Sequence, residues 1–230
     1  MSAERRLAGR RHEDRIETAI ESVPKRVFQW GVDWPGWCRS GKTETDALDH
    51  LVEAAERYNV VIDRAGLEPL NVSAHDVYVV DSIEGGPATQ FGVPERSSAS
   101  DQRPTDAAEA DRMARLVEAG WSVLDEIVAS APAELRKGPR GGGRDRDKAY
   151  EHVVLAEHSY ARSMGLKLPT PDPADPASIA VVRQAIAAVL REPSDGSPIE
   201  GRKWNRRYAA RRVAWHVLDH AWEIEDRSEP

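Results

Sequence analysis

The chain has 230 residues, 40% of them hydrophobic and 31% charged, and a formal net charge of −7, which is material for one large domain or two modest ones of ordinary globular composition. Acidic and basic residues are interleaved rather than blocked, so no basic face for nucleic acid is expected. A single cysteine, Cys38, rules out a disulfide framework or a cysteine-based zinc knuckle. No apolar run approaches the roughly 18 residues of a membrane span, and MSAERRLAGRRHEDR lacks the apolar stretch of a signal peptide, so a cytoplasmic protein without a membrane partner is expected.

Residues 1–22 are charged and Ala-rich and read as a short helix or a frayed segment, ended by Pro24. Val27 to Val32 then reads as a short strand, Trp34-Pro35-Gly36 as a turn, and Trp37 to Ser40 as a second strand. After the Gly41-Lys42 turn, Thr43 with Asp46 three positions on has the spacing of a capping box. From Thr45 to Ala65 the apolar positions Ala47, Leu48, Leu51, Val52, Ala55 and Tyr58 keep a helical period. The residues Pro35-Gly36, Gly41, Thr43 and Asp46-Ala47 resemble the strand–turn–helix signature of the small HicB-like antitoxin fold, which implies a β-β-α unit. Val77 to Val80 reads as a further strand, and a Gly-, Pro- and Ser-rich loop runs from Gly85 to Pro104.

A domain boundary is placed at residue 102. Beyond it the pattern is helical throughout: about Thr105 to Ala131, Asp145 to Met164 with Gly165 as its C-cap, Pro176 to Leu190, and Trp204 to Arg227. The expected architecture is α+β, with a small α/β module over 1–102 and an antiparallel four-helix bundle over 103–230.

The last helix carries the chemistry. At roughly 100° per residue, Ala209, Val213, Val217, Ala221 and Ile224 share one face, and His216 and His220, four apart, fall on or beside it. On the second helix of the bundle, Ala149, Val153, Ala156 and Tyr160 lie between about 40° and 100° from His152, which therefore borders the apolar face; His158, about 240° round, points to solvent or to the neighbouring domain. Neutral imidazoles bind Zn²⁺, Ni²⁺ or Fe²⁺, and an i, i+4 pair reaches a single ion. The alternative is a set of hydrogen-bonded core histidines with no ion. His12, His50 and His75 are read as ordinary surface or packing residues. Glu223, seven positions after His216, would orient an imidazole from behind or pair at the surface, and Asp219 is read as a surface salt-bridge partner.

The segments AYEHVVLAEHSYARSMG and RRVAWHVLDHAWEIEDR resemble the DinB-like superfamily of metalloenzymes over roughly residues 103 to 227. That resemblance implies a four-helix bundle with a divalent metal, commonly zinc or nickel, on His152, His216 and His220. It further implies a small-molecule substrate and, by analogy with relatives that use mycothiol or bacillithiol, a low-molecular-weight thiol cosubstrate. The reaction implied is metal-dependent transfer, or hydrolysis with water in place of the thiol. A non-catalytic binding protein, with a structural ion or none, is the competing expectation.

Other chemistry is disfavoured by spacing. Val217 stands where a zincin carries its general-base Glu, and no histidine has a Glu three positions earlier, as a ferritin-like di-iron site requires. The loop from Gly138 to Arg144 precedes a helix, so Arg144 and Arg146 are candidates for anchoring an anionic cosubstrate, against a plain solvated loop. Cys38 has no visible partner base and is read as structural. Trp204, Tyr208, Trp215, Leu218 and Trp222 form a second stripe away from the histidines, read as packing against the N-terminal module or a second subunit, which allows a homodimer.

Overall fold

A computed structural model describes residues 15–138 and 143–228. Among them are a four-stranded sheet and six α-helices, a mixed α+β architecture. No described helix is long and apolar enough to cross a membrane. The residues form two compact units, one from residues 15–33, 37–56 and 70–100, the other from 34–36, 57–69 and everything described after 100. A sequence-based division at 102 assigns 34–36 and 57–69 to the first part; by proximity they belong with the second.

In the first unit β1 (Ile16–Val23), β2 (Arg26–Gly31), β3 (Cys38–Gly41) and β4 (Val77–Glu84) form a sheet in the order β3-β2-β1-β4. The β1–β2 and β2–β3 pairs are antiparallel and β1–β4 is parallel. The strand β1 corrects the expectation of a helix or frayed segment over 1–22; residues 1–14, including His12, lie outside the described part. Ile16, Thr18, Ile20 and Val23 are β-branched and favour the pleated surface, while the charged, Ala-rich character of the stretch belongs mostly to the residues before them. Glu21 is fully buried at the centre of this strand. Its carboxylate is satisfied by the Thr89 hydroxyl and by the backbone amides of Glu95 (3.2 Å) and Arg96 (2.9 Å), which is what makes a buried acid tolerable.

Helix α1 (Glu44–Arg64) starts at the expected capping box: Thr43 Oγ1 accepts from the Asp46 amide at 3.1 Å, and Asp46 Oδ2 accepts from the Thr43 amide at 3.0 Å. Gly41 is required just before it, because a Cβ there would lie 2.4 Å from the Ala47 nitrogen. A short helix, α2 (Pro87–Gln90), lies within the loop expected from Gly85 to Pro104.

The second unit contains α3 (Ala107–Ser130), α4 (Arg146–Ser163), α5 (Pro176–Leu190) and α6 (Arg206–Ser228), with α5 and α6 each packed against α3 and α4. Asp106 and Glu109 form a reciprocal cap at the start of α3. The core is one cluster to which all four helices contribute, including Val117 and Leu124 of α3, Val153 of α4, Ile186 of α5, and Val213 and Ile224 of α6. Gly36, at φ +94°, lets the chain pass close to α6; a Cβ there would lie 2.6 Å from Leu218 Cδ1.

Candidate metal centre

Helix α6 presents the anticipated stripe: Ala209, Val213, Val217, Ala221 and Ile224 are all buried in the core. The small residues among them let α6 approach its neighbours closely, and the stripe fixes the rotation of the helix. His216 and His220 then fall at its edge, and the buried Ala149, Val153 and Ala161 of α4 bring His152 to the same place. Imidazole centroids are 5.1 Å apart for His152–His216, 4.9 Å for His152–His220 and 4.7 Å for His216–His220. One ring nitrogen from each lies within 4.8 Å of the other two.

The Nε2 atoms of His216 and His152 are 3.2 Å apart. Two ligands of a tetrahedral ion with bonds of 2.0–2.1 Å stand about 3.3 to 3.4 Å apart, so this pair already has the spacing of neighbouring ligands. The donor set also fits by protonation state. Burial, helped by the charges of His220 and Arg212, holds His216 well below its ordinary 6.5, and burial followed by the charges of His220 and Arg144 lowers His152. Both rings are therefore neutral at neutral pH and carry the lone pair that a cation needs.

Support comes from behind the ring of His220. Its Nδ1 donates to Glu223 Oε2 at 3.0 Å, which leaves Nε2 to face the other imidazoles. Arg227 Nη1 donates to Glu223 Oε1 at 2.9 Å and to the carbonyl of Arg144 at 2.7 Å. The hydrogen bond from His220, ahead of the charge of Arg227, keeps the Glu223 carboxyl below its usual range. A carboxylate that fixes the tautomer of an imidazole in this way is the recurrent companion of a metal-binding histidine.

The other candidates separate. Arg144 is exposed, yet close enough for its charge to depress both His152 and His216. Arg146 donates to Asp147 at 2.7 Å and to the Ala131 carbonyl at 2.8 Å, which fastens the loop before α4; residues 139–142 of that loop lie outside the described part. His158 lies away from the cluster, half-buried, with its Nε2 3.0 Å from the Leu168 carbonyl on the chain segment after its own helix. His50 Nδ1 is 2.9 Å from the Ser40 carbonyl, Asp219 is exposed, and Cys38 is buried. Nor is the aromatic stripe remote from the histidines. The Trp215 ring is 6.0 Å from His216, and the Trp204 ring lies 5.5 Å from that of Tyr160, tilted by 44°, with the Tyr160 ring 5.6 Å from His216.

Sequence reasoning missed two features. Glu157, Arg183, Asp125 and Tyr150 form a polar network beside a cleft of about 240 Å³ between α3, α4 and α5. Arg183 donates to both oxygens of the buried Glu157, at 2.9 and 3.3 Å, and to Asp125 at 2.7 Å. Burial pushes Glu157 up to about 7 against the pull of Arg183. The signal was present: Glu157 stands four residues from both Val153 and Ala161, on the buried stripe. The second is Arg212, one turn before His216 and among the charges that depress it.

Comparison of the chain with models of known families, with curated proteins and with solved structures gives no match.

Proposed function

We propose that the helical unit is a DinB-like four-helix bundle in which His152, His216 and His220 hold a divalent cation, zinc or nickel, and that the protein is a metal-dependent transferase or hydrolase acting on a small molecule with a low-molecular-weight thiol or water. The observation that carries the reading is the convergence of three imidazoles from two helices, with their ligand nitrogens within 4.8 Å of one another. When bound, such an ion supplies Lewis acidity at an open coordination position. The protein's own part is positional. Glu223 sets the tautomer of His220, Arg227 sets Glu223, and the apolar surroundings keep His216 deprotonated. Three protein ligands leave room for an exchangeable one, which favours catalysis over a closed structural site.

Elemental analysis of the purified protein and of His216→Ala, with circular dichroism on both, tests the proposal. The expected result is zinc or nickel in the parent and its loss from a folded variant. Equal metal content in the two overturns the site. Metal loss accompanied by unfolding favours the competing reading of a non-catalytic protein with a structural ion.

A further inference from the structure

Arg212 lies on α6 one turn before His216, on the stripe that continues through His220. Its guanidinium carbon sits 4.8 Å from the centroid of the Trp215 ring and 5.4 Å from that of Tyr160. A cation–π contact engages the charge but none of the N–H donors, and Nη1 is buried with no hydrogen-bond partner among the described residues. Other arginines of the same unit are anchored differently: Arg183 on Glu157 and Asp125, Arg211 on Asp101, Arg207 on Glu109 and Arg227 on Glu223. A partly desolvated guanidinium without an acceptor is costly to maintain. Arg212 has its orientation fixed by two rings and its buried Nη1 unspent.

The location gives the fork a use. Tyr160, one of its two aromatic supports, has its ring 5.6 Å from His216, and Trp215, the other, 6.0 Å. The two rings that hold the Arg212 guanidinium are thus the ones that flank His216. Arg144 adds a second positive charge to the same surroundings, and the side chain of Arg212 as a whole is part-buried.

We propose that Arg212 is the anchor for a carboxylate on the substrate, so that the small molecule handled at the histidine cluster is a carboxylic acid held by that group with its reacting end toward His152, His216 and His220. A planar carboxylate matches the planar N–H fork with two parallel hydrogen bonds. The reacting half of this statement rests on the metal reading above; the carboxylate anchor does not, because it needs only Arg212 and its two aromatic supports.

The test uses benzoate as the probe. Its binding to the full-length protein is measured by calorimetry in the metal-loaded form and after chelation, alongside Arg212→Gln and Arg212→Lys, with metal content measured on each. The expected result is benzoate binding by both forms of the parent, weakened about tenfold or more in Arg212→Gln and partly in Arg212→Lys, with metal content unchanged. Benzoate affinity that is the same in the parent and in either folded variant overturns the anchor, as does a parent that binds no benzoate. Inorganic phosphate binding as tightly as benzoate overturns the carboxylate assignment. If the parent proves metal-free but benzoate still binds through Arg212, the metal reading fails and the anchor stands.

Discussion

His220 Nδ1 donates to Glu223 Oε2 at 3.0 Å, and the opposite oxygen of that carboxylate is held by Arg227 at 2.9 Å. Through this chain of contacts the last turn of α6 determines which nitrogen of His220 faces His152 and His216. Glu223→Gln keeps the shape but weakens the acceptor, and is expected to reduce metal affinity about tenfold to a hundredfold with little change in melting temperature. Competition with a chromophoric chelator measures it; an unchanged affinity would remove Glu223 from the site.

In the metal-free protein the buried His216 makes acid destabilising. Its folded-state value lies well below the 6.5 that it regains on unfolding, so the unfolded chain binds the extra proton as pH falls. The associated stability is complete above 6.5 and is lost as pH drops through the folded value, by at most about 1.4 kcal/mol per pH unit. His216→Asn should therefore lose less stability than the parent between pH 6.5 and 5 in urea titrations with chelator present. Parallel profiles would show that His216 is not held neutral.

Glu157 titrates in the opposite sense. Raised by burial to about 7 from 4.5, it contributes stability that is complete below 4.5 and lost as pH rises through about 7. Once Glu157 is ionised, Arg183 is its main counter-charge. Arg183→Met is expected to cost about 3 to 5 kcal/mol at pH 8 by leaving a buried carboxylate uncompensated, and less at pH 5.5, where Glu157 is already protonated. Chemical denaturation at the two pH values checks it; a cost independent of pH would contradict the assignment.

Periodicity and composition, punctuated by Gly, Pro and capping residues, located the strands β2, β3 and β4 and the helices α1 and α3 to α6: Thr43–Asp46 at α1, Gly165 after α4, Pro176 at the start of α5. The positions of His152, His216 and His220 were equally legible, since an imidazole beside a stripe of Ala and Val breaks a pattern. The strand β1 was not. Its buried Glu21 reads as a surface residue until the Thr89 hydroxyl and the 95–96 amides arrive from about 70 residues away. Arg212 was invisible for a related reason. In a sequence it is one arginine among many; only the absence of an acceptor, a three-dimensional fact, sets it apart.

Glycine at position 36 provides a check on the packing of α6. Its φ of +94° and the 2.6 Å that would separate a Cβ from Leu218 Cδ1 both oppose a side chain. Gly36→Ala is expected to destabilise the protein by about 1 to 3 kcal/mol, read as a lowered melting temperature. An unchanged value would mean that α6 and the 34–36 turn are not in this contact.

X-ray absorption at the metal edge of the protein loaded with one equivalent of zinc tests the account most directly. The prediction is three imidazole nitrogens at about 2.0 to 2.1 Å, falling to two in His152→Ala. A spectrum with one imidazole or none, or the same spectrum from the parent and that variant, would contradict it.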